Sequence, residues 1–89
     1  MNPPDPLTQQ IRSVLRDHGR LARPIDGIAD DADLYQSGMT SHASVNVMLA
    51  LEGAFDIEFP DHMLKRSVFT SIASIRDALA ELDVARTMQ

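Results

Sequence analysis

The chain has 89 residues, 44% of them hydrophobic and 24% charged, and it contains no cysteine. This length fits one domain, since domains commonly run from about 50 to 250 residues. The formal net charge of −5 argues against a nucleic-acid binder, which needs a basic face. The lack of cysteine excludes disulfides, thiolate metal ligands and a cysteine nucleophile. No apolar run approaches the roughly 18 residues of a membrane span, and the first residues do not resemble a signal peptide, so we expect a cytoplasmic protein.

The first predicted helix follows Asp5-Pro6 and stops at Gly19. Asp5 can cap it, and proline suits a first turn, where its missing N–H would have no partner. Apolar residues recur behind it at helical spacing: Leu7, Ile11, Val14 and Leu15. From Gly19 to about residue 40 no period is sustained, and apolar residues are scattered among acids: Ile25, Ile28, Leu34 and Tyr35. We expect a long first loop that these side chains pin to the core.

The second predicted helix runs to Phe55 and begins at Thr40 or Ser41, either of which can cap it. It is unusually apolar, and Glu52 is its only formal charge. A short third helix is predicted from Pro60. We assign the following residues from position 45 onward to the core: Val45, Met48, Leu49, Leu51, Phe55, Leu64, Ile72, Ile75 and Leu79.

A last helix follows Thr70 or Ser71, which can cap it. Its apolar residues keep helical spacing: Ile72, Ile75, Leu79 and Leu82. The predicted fold class is therefore all-α, a bundle of three main helices plus one short helix, with a long first loop. We expect residues 1–89 to form a single domain with flexible ends at 1–5 and 84–89.

Side chains that could support catalysis are few. Ser41 and His42 are neighbours, but adjacent helical residues point about 100° apart, so they make a poor dyad. Asp31 and Asp33 have the spacing found in a calcium loop, without the glycine and terminal glutamate of that motif. We expect loop acids that cap turns, no catalytic residue and no metal site. All three histidines are expected at the surface: His18, His42 and His62.

Ser41 lies where the long loop meets the second helix, directly after Gly38-Met39-Thr40. One interpretation is that its hydroxyl only caps the helix. The other is that the hydroxyl is exposed and becomes modified, because the free N–H groups and dipole at a helix N-terminus favour a phosphate ester. This short stretch alone leaves both interpretations open.

A longer stretch, from Asp33 to Pro60, resembles acyl carrier proteins. The matching features, in order, are Asp33-Leu34, Gly38, Ser41, an apolar helix with Leu51-Glu52 and Phe55, an alternating segment at 56–59, and Pro60. Thr70-Ser71-Ile72 and the final helix match the last element of that family, so the resemblance covers roughly residues 7–83. It implies that Ser41 carries 4′-phosphopantetheine, attached by a phosphopantetheinyl transferase. The thiol of that arm would hold the cargo, which accounts for a carrier without cysteine and without enzymatic activity.

The sequence departs from typical fatty-acid carriers around the serine. Thr40 and His42 replace the usual aspartate and leucine, while Asn46, Gly53 and Ala54 stand where such carriers have acids. Those acids dock on basic patches of partner enzymes. A less acidic second helix is similar to peptidyl carrier domains, which carry aminoacyl cargo.

The segments 38–41 and 48–61 are similar to small stand-alone bacterial aminoacyl carrier proteins. Amino acid:carrier protein ligases, which resemble the catalytic core of seryl-tRNA synthetases, charge such carriers through an aminoacyl adenylate made from ATP. The resemblance implies a small cargo, such as glycine or alanine, and an unknown downstream acceptor enzyme. Two alternatives stay open: a specialised fatty-acyl or polyketide carrier, and an unmodified helical interaction module.

Residues around Ser41 are candidates for contact with these partners: Met39, Thr40, His42, Ala43, Asn46 and Met63. Met39 and Thr40 could instead shape the turn and cap the helix, and Met63 could lie in the core. We expect neither a nucleic acid nor a membrane among the partners.

Overall fold

The computed structural model describes the backbone of residues 6–87 and the side chains of residues 6–82. Three α-helices form its frame: α1 (Pro6–His18), α2 (Ser41–Phe55) and α3 (Ile72–Thr87). Single 3-10 turns lie between them at Ile25–Gly27, Asp61–Met63 and Arg66–Val68. The described residues contain no strand, and the predicted all-α bundle is confirmed. None of the described helices is both long enough and apolar enough to cross a membrane.

The predictions for the two ends of the chain stay predictions. The cap at Asp5 and the flexible segment at 1–5 lie outside the described residues. The same holds for 88–89, and the side chains of 83–87 are not described either.

The ends of α1 and α3 follow from their local sequence. Gly19 stops α1 as predicted: its N–H donates to the Leu15 carbonyl at 2.8 Å, and the next residue, Arg20, has a positive φ of 53°. Ser71 caps α3, since its Oγ accepts the Ser74 N–H at 3.0 Å. The Ser74 Oγ in turn accepts the Ser71 N–H at 3.0 Å, a reciprocal pair like that of a capping box.

The predicted short helix after Pro60 is a single 3-10 turn. The chain makes one 3-10 turn at Asp61–Met63, becomes extended at Lys65 (φ −138°, ψ 156°) and makes a second turn at Arg66–Val68. Phe59 and Phe69 meet edge to face at the two ends of this segment, with ring centroids 5.5 Å apart. This aromatic contact holds an irregular segment where the sequence suggested a helix.

The long first loop is ordered by burial and by backbone hydrogen bonds, as predicted. Its apolar residues Ile25, Ile28 and Leu34 are buried, and Tyr35 is partly buried. The Leu34 N–H donates to the Thr70 carbonyl at 2.6 Å, and the Ala73 N–H donates to the Asp30 carbonyl at 2.9 Å. These two bonds join the loop to the start of α3 and so bring residues 30–40 against the C-terminal half of the chain.

Helix α2 buries one row of side chains fully, and Met48, Ala50 and Phe55 pack partly buried against the core beside it. Its buried residues are Ala43, Val47 and Leu51, each four positions after the last, so they lie on one face of the helix. Of the core residues predicted from sequence, Leu51, Ile72, Ile75 and Leu79 are confirmed, while Met48 and Phe55 are only partly buried.

Three core predictions are wrong. Val45, Leu49 and Leu64 are 49%, 54% and 45% exposed. For Val45 and Leu49 the reason is that apolar residues lie all around α2, so no continuous polar face shows which row turns inward. Leu64 lies in the irregular segment between the two 3-10 turns, so helical spacing from Pro60 does not apply to it.

Candidate functional site

Ser41 is the first residue of α2, and its side chain is exposed. The residue before it, Thr40, is the N-cap: it has extended backbone angles (φ −80°, ψ 166°), and its Oγ1 accepts the Ala43 N–H at 3.0 Å. Within the described part of the chain the Ser41 Oγ makes no hydrogen bond. Thr40, and not Ser41, therefore caps the helix. The Ser41 hydroxyl remains available, and its modification stays a prediction.

The turn before Ser41 is held by backbone geometry. Gly38 has a φ of 116°, and a Cβ at this position would lie 2.7 Å from the backbone nitrogen of Ala22. The next N–H, of Met39, donates to the Leu34 carbonyl at 3.0 Å, while the Met39 side chain is only 2% exposed. Glycine is required here by both its conformation and the space available. The turn that leads into α2 is therefore held by the close approach of Gly38 to Ala22 and by the hydrogen bond and buried side chain of Met39.

An open cleft of about 400 Å³ lies beside Ser41. Its apolar lining comes from α2 and from the segment after it, and its polar lining includes two adjacent cations, Lys65 and Arg66. The guanidinium carbon of Arg66 lies over the ring of Tyr35, 4.0 Å from the centroid. The lining residues are Tyr35, Ser41, Ser44, Val45, Met48, Leu64, Lys65, Arg66 and Phe69.

The predicted contact residues divide by exposure. Thr40 and His42 are exposed and Asn46 is partly exposed, so their contact with partners stays a prediction. Met39, Ala43 and Met63 are 2%, 1% and 4% exposed. Burial corrects the prediction for these three side chains, which pack the core and present almost no surface to a partner.

Sequence reasoning missed the cations and the tyrosine of the cleft. The sequence pattern predicts Tyr35 only as a loop residue packed on the core, and Lys65 and Arg66 lie more than twenty positions beyond the serine. One signal was available, because Lys65-Arg66 is the only pair of adjacent basic residues in the chain and Lys65 is its only lysine. An isolated basic pair in an acidic chain is a reason to ask which anion lies nearby.

The one carboxylate of α2 has a structural partner. Glu52 is partly buried, and its Oε2 accepts the Phe59 N–H at 2.9 Å, across the left-handed residue Asp56 that ends the helix. The Asp33 Oδ1 similarly accepts the N–H groups of Tyr35 and Gln36, at 2.9 and 3.2 Å, as expected for a loop acid that caps a turn. Among the described residues no group of three or more acids, histidines or cysteines is placed to hold a metal ion.

Ser41 thus has an exposed hydroxyl, without a hydrogen bond among the described residues, at the start of the second helix of an all-α bundle. A family model described as "Phosphopantetheine attachment site" matches residues 7–82. The chain belongs to this family of carrier proteins. A relative, the aminoacyl carrier protein of Agrobacterium fabrum, is 54% identical over 73 residues, which are 82% of this chain and 88% of that protein.

Solved structures agree with this assignment. One contains an engineered Bradyrhizobium japonicum glycine:carrier protein ligase complexed with carrier protein from Agrobacterium tumefaciens and ATP. A chain of that structure matches this protein with a TM-score of 0.81 at 50% identity. The match covers 83% of this chain and 96% of the matched chain. Another contains a Bradyrhizobium japonicum glycine:carrier protein ligase complexed with glycylated carrier protein. It matches with a TM-score of 0.73 at 26% identity, over 83% of this chain and 99% of that one.

Proposed function

We propose that this protein is an aminoacyl carrier in which the Ser41 Oγ bears 4′-phosphopantetheine. The observation that carries the proposal is the free, exposed hydroxyl of Ser41 at the start of α2, inside the segment that matches the family. In the attachment step a phosphopantetheinyl transferase removes the hydroxyl proton, Oγ attacks the phosphorus of coenzyme A next to pantetheine, and 3′,5′-ADP leaves. The attached group supplies a thiol that holds the cargo as a thioester.

The proposed loading partner is an amino acid:carrier protein ligase, and the proposed cargo is glycine or alanine. The relatives whose names include an aminoacyl carrier or a glycine:carrier protein ligase support this choice. The ligase uses ATP to form the aminoacyl adenylate and transfers the aminoacyl group with release of AMP. The described residues contribute a platform rather than catalytic groups: no hydrogen bond joins Ser41 to His42, and both side chains are exposed.

Intact-mass measurement tests the attachment. The protein is incubated with coenzyme A and a phosphopantetheinyl transferase, and we expect the mass of one phosphopantetheine to be added to the wild type and none to Ser41→Ala. Ser44→Ala is the matched control, because this nearby serine lines the same cleft but its Oγ donates to the Ser41 carbonyl at 2.7 Å. An arm on Ser41→Ala would contradict the attachment site, and no arm on the wild type would favour the unmodified interaction module.

A second incubation tests the cargo. Holo-protein is mixed with ATP, a ligase of the glycine:carrier protein type and either glycine or alanine, and a hydroxylamine-sensitive mass increase is expected. Failure with both amino acids, together with ready loading by a fatty-acyl transacylase, would show that the protein is a specialised fatty-acyl carrier instead.

A further inference from the structure

The long first loop is bound to α1 by the side chain of Arg12. Its Nη1 donates to the main-chain carbonyl of Ile25 at 2.8 Å, and its Nη2 donates to the Asp30 Oδ1 in an ion pair. An exposed ion pair contributes little by itself, but the Arg12 side chain is only 24% exposed, and the same planar group also binds a backbone carbonyl. One guanidinium therefore holds both ends of residues 25–30 against α1.

Asp30 also joins this part of the loop to α3. The first N–H groups of a helix have no acceptor within the helix, and the N–H of Ala73, the second residue of α3, donates to the Asp30 main-chain carbonyl at 2.9 Å. The Asp30 side chain thus binds α1 while its carbonyl satisfies a donor of α3. Without the bond to Arg12, Asp30 would keep only this backbone bond to the rest of the bundle.

The turn before Ser41 is bonded to the same loop. The Leu34 carbonyl accepts the Met39 N–H at 3.0 Å, and the Leu34 N–H donates to the Thr70 carbonyl at 2.6 Å. Leu34 and Met39 are 0% and 2% exposed, so both side chains are fixed by the core. Because Leu34 follows Asp30 by four residues, the position of the turn depends on where residues 25–30 are held.

We propose that Arg12 is a positioning residue for Ser41. While its guanidinium binds Ile25 and Asp30, the loop is closed on α1 and α3, and the turn presents the serine in one orientation. When these bonds open, residues 30–39 lose their contacts with α3 together, and the orientation of Ser41 is no longer fixed. A partner enzyme binds the closed form, so the closed fraction scales its apparent affinity. The inference rests on the proposed function, since it concerns the serine that receives the arm.

Hydrogen exchange of backbone amides in the apo-protein, followed by nuclear magnetic resonance, tests this coupling. The amides of Leu34, Met39 and Ala73 report the loop, because the donor or the acceptor of each of their bonds lies on it. In Arg12→Gln we expect all three to exchange at least about tenfold faster, since losing hydrogen bonds from a charged donor raises the opening equilibrium by that order. A common factor for the three amides is expected, because the loop and the turn open as one unit.

A second variant separates opening of the loop from unfolding of the whole domain. Glu52→Ala removes the acceptor of the Phe59 N–H at the end of α2 opposite Ser41, so it lowers global stability and leaves the loop bonds intact. The amides that report the loop should therefore keep wild-type exchange rates in Glu52→Ala, although the urea midpoint falls. Arg12→Gln should change their rates even where its effect on the midpoint is no larger.

Two further substitutions assign the effect to the guanidinium. Arg12→Lys keeps the charge but not the planar fork that binds two acceptors, so its exchange rates should lie between those of the wild type and Arg12→Gln. Arg16→Gln is the matched control, because it removes the same charge about one helical turn further along α1. Its side chain is exposed and pairs with the adjacent Asp17 at 3.3 Å, so the loop amides should keep wild-type rates.

Attachment of the arm relates the exchange rates to function. The open fraction of each variant follows from the exchange rate of Met39 relative to that of an unprotected amide. The kcat/KM of a phosphopantetheinyl transferase should scale with the remaining closed fraction, while kcat at saturating carrier should stay at the wild-type value. The expected order of kcat/KM is wild type, Arg12→Lys and then Arg12→Gln.

Three results would overturn the inference. Wild-type exchange at Met39 in Arg12→Gln would show that the turn does not depend on this arginine. Faster exchange of the loop amides in Glu52→Ala would show that the loop opens only with the whole domain. A kcat/KM out of proportion to the closed fraction would show that Arg12 does not act through the orientation of Ser41. The exchange results do not depend on the arm, so an unmodified wild type would contradict the proposed function alone.

Discussion

Neighbouring residues at the start of α2 divide two tasks, and substitutions can separate them. Thr40→Ala removes the oxygen that accepts the Ala43 N–H at 3.0 Å, and loss of such a cap costs about 1 kcal/mol of the free energy of unfolding. Ser41→Ala removes a hydroxyl that has no partner among the described residues, so its effect should stay within about 0.5 kcal/mol, as for most surface substitutions.

Urea unfolding of the apo-proteins, followed by circular dichroism, measures this difference. With a slope of about 1 kcal/mol per molar urea for a small domain, Thr40→Ala should lower the midpoint by about 1 M. The midpoint for Ser41→Ala should scarcely change. Thr40→Ser is the matched control, because it keeps the capping oxygen and should stay near the wild type.

Loading with phosphopantetheine should give the opposite order. Thr40→Ala should still accept the arm, and Ser41→Ala should not. If Ser41→Ala lost about 1 kcal/mol while Thr40→Ala lost nothing, the assignment of the cap to Thr40 would be wrong. The proposed function would then lose its main support, because the Ser41 hydroxyl would be engaged in capping.

Three further pairs of substitutions test other contacts of the fold. Glu52→Ala should lower the free energy of unfolding by about 1.5–3 kcal/mol, because the carboxylate accepts a backbone N–H in a partly buried site. Glu52→Gln should lower it less, and equal urea midpoints for the two variants would contradict this role. Leu51→Ala, at a fully buried position, should cost about 2–5 kcal/mol, whereas Leu49→Ala, at a position that is 54% exposed, should change the midpoint little. Gly38→Ala should lower thermal stability, because this residue has a φ of 116° and its Cβ would lie 2.7 Å from a backbone nitrogen. Gly53→Ala, with open space around it, should raise the free energy of unfolding by about 0.5–1 kcal/mol. A rise for both variants would refute the strain at Gly38.

The sequence predicts the helices well where breakers and caps are local. Gly19 and the hydroxyl residues before α2 and α3 mark boundaries that the structure has within a residue. The orientation of α2 is different, because Val45 and Leu49 are as apolar as Val47 and Leu51. Only packing against the other helices decides which row is buried, and a single helix does not contain that information.

The site divides in the same way. Ser41 is predicted as the attachment site from the resemblance of residues 33–60 to acyl carrier proteins, and this assignment stays a prediction. The cations opposite it come from an irregular segment, and their position depends on Lys65 adopting an extended backbone and on Arg66 stacking over Tyr35. Such distant contacts have no local periodicity, and so the sequence does not predict this side of the cleft.

The exposed side of α2 has a consequence for how much of this helix can vary. Apart from the buried row, the partly buried residues Met48, Ala50 and Phe55 and the hydrogen-bonded Glu52, the exposed positions of this helix can change with little effect on folding. Mutations there can be selected for one partner enzyme or another while the bundle is retained. The matched carrier at 26% identity, which keeps a TM-score of 0.73, illustrates how far sequences with this fold can drift apart. Substitutions at exposed α2 positions such as Val45 and Leu49 should therefore leave the stability of the domain nearly unchanged.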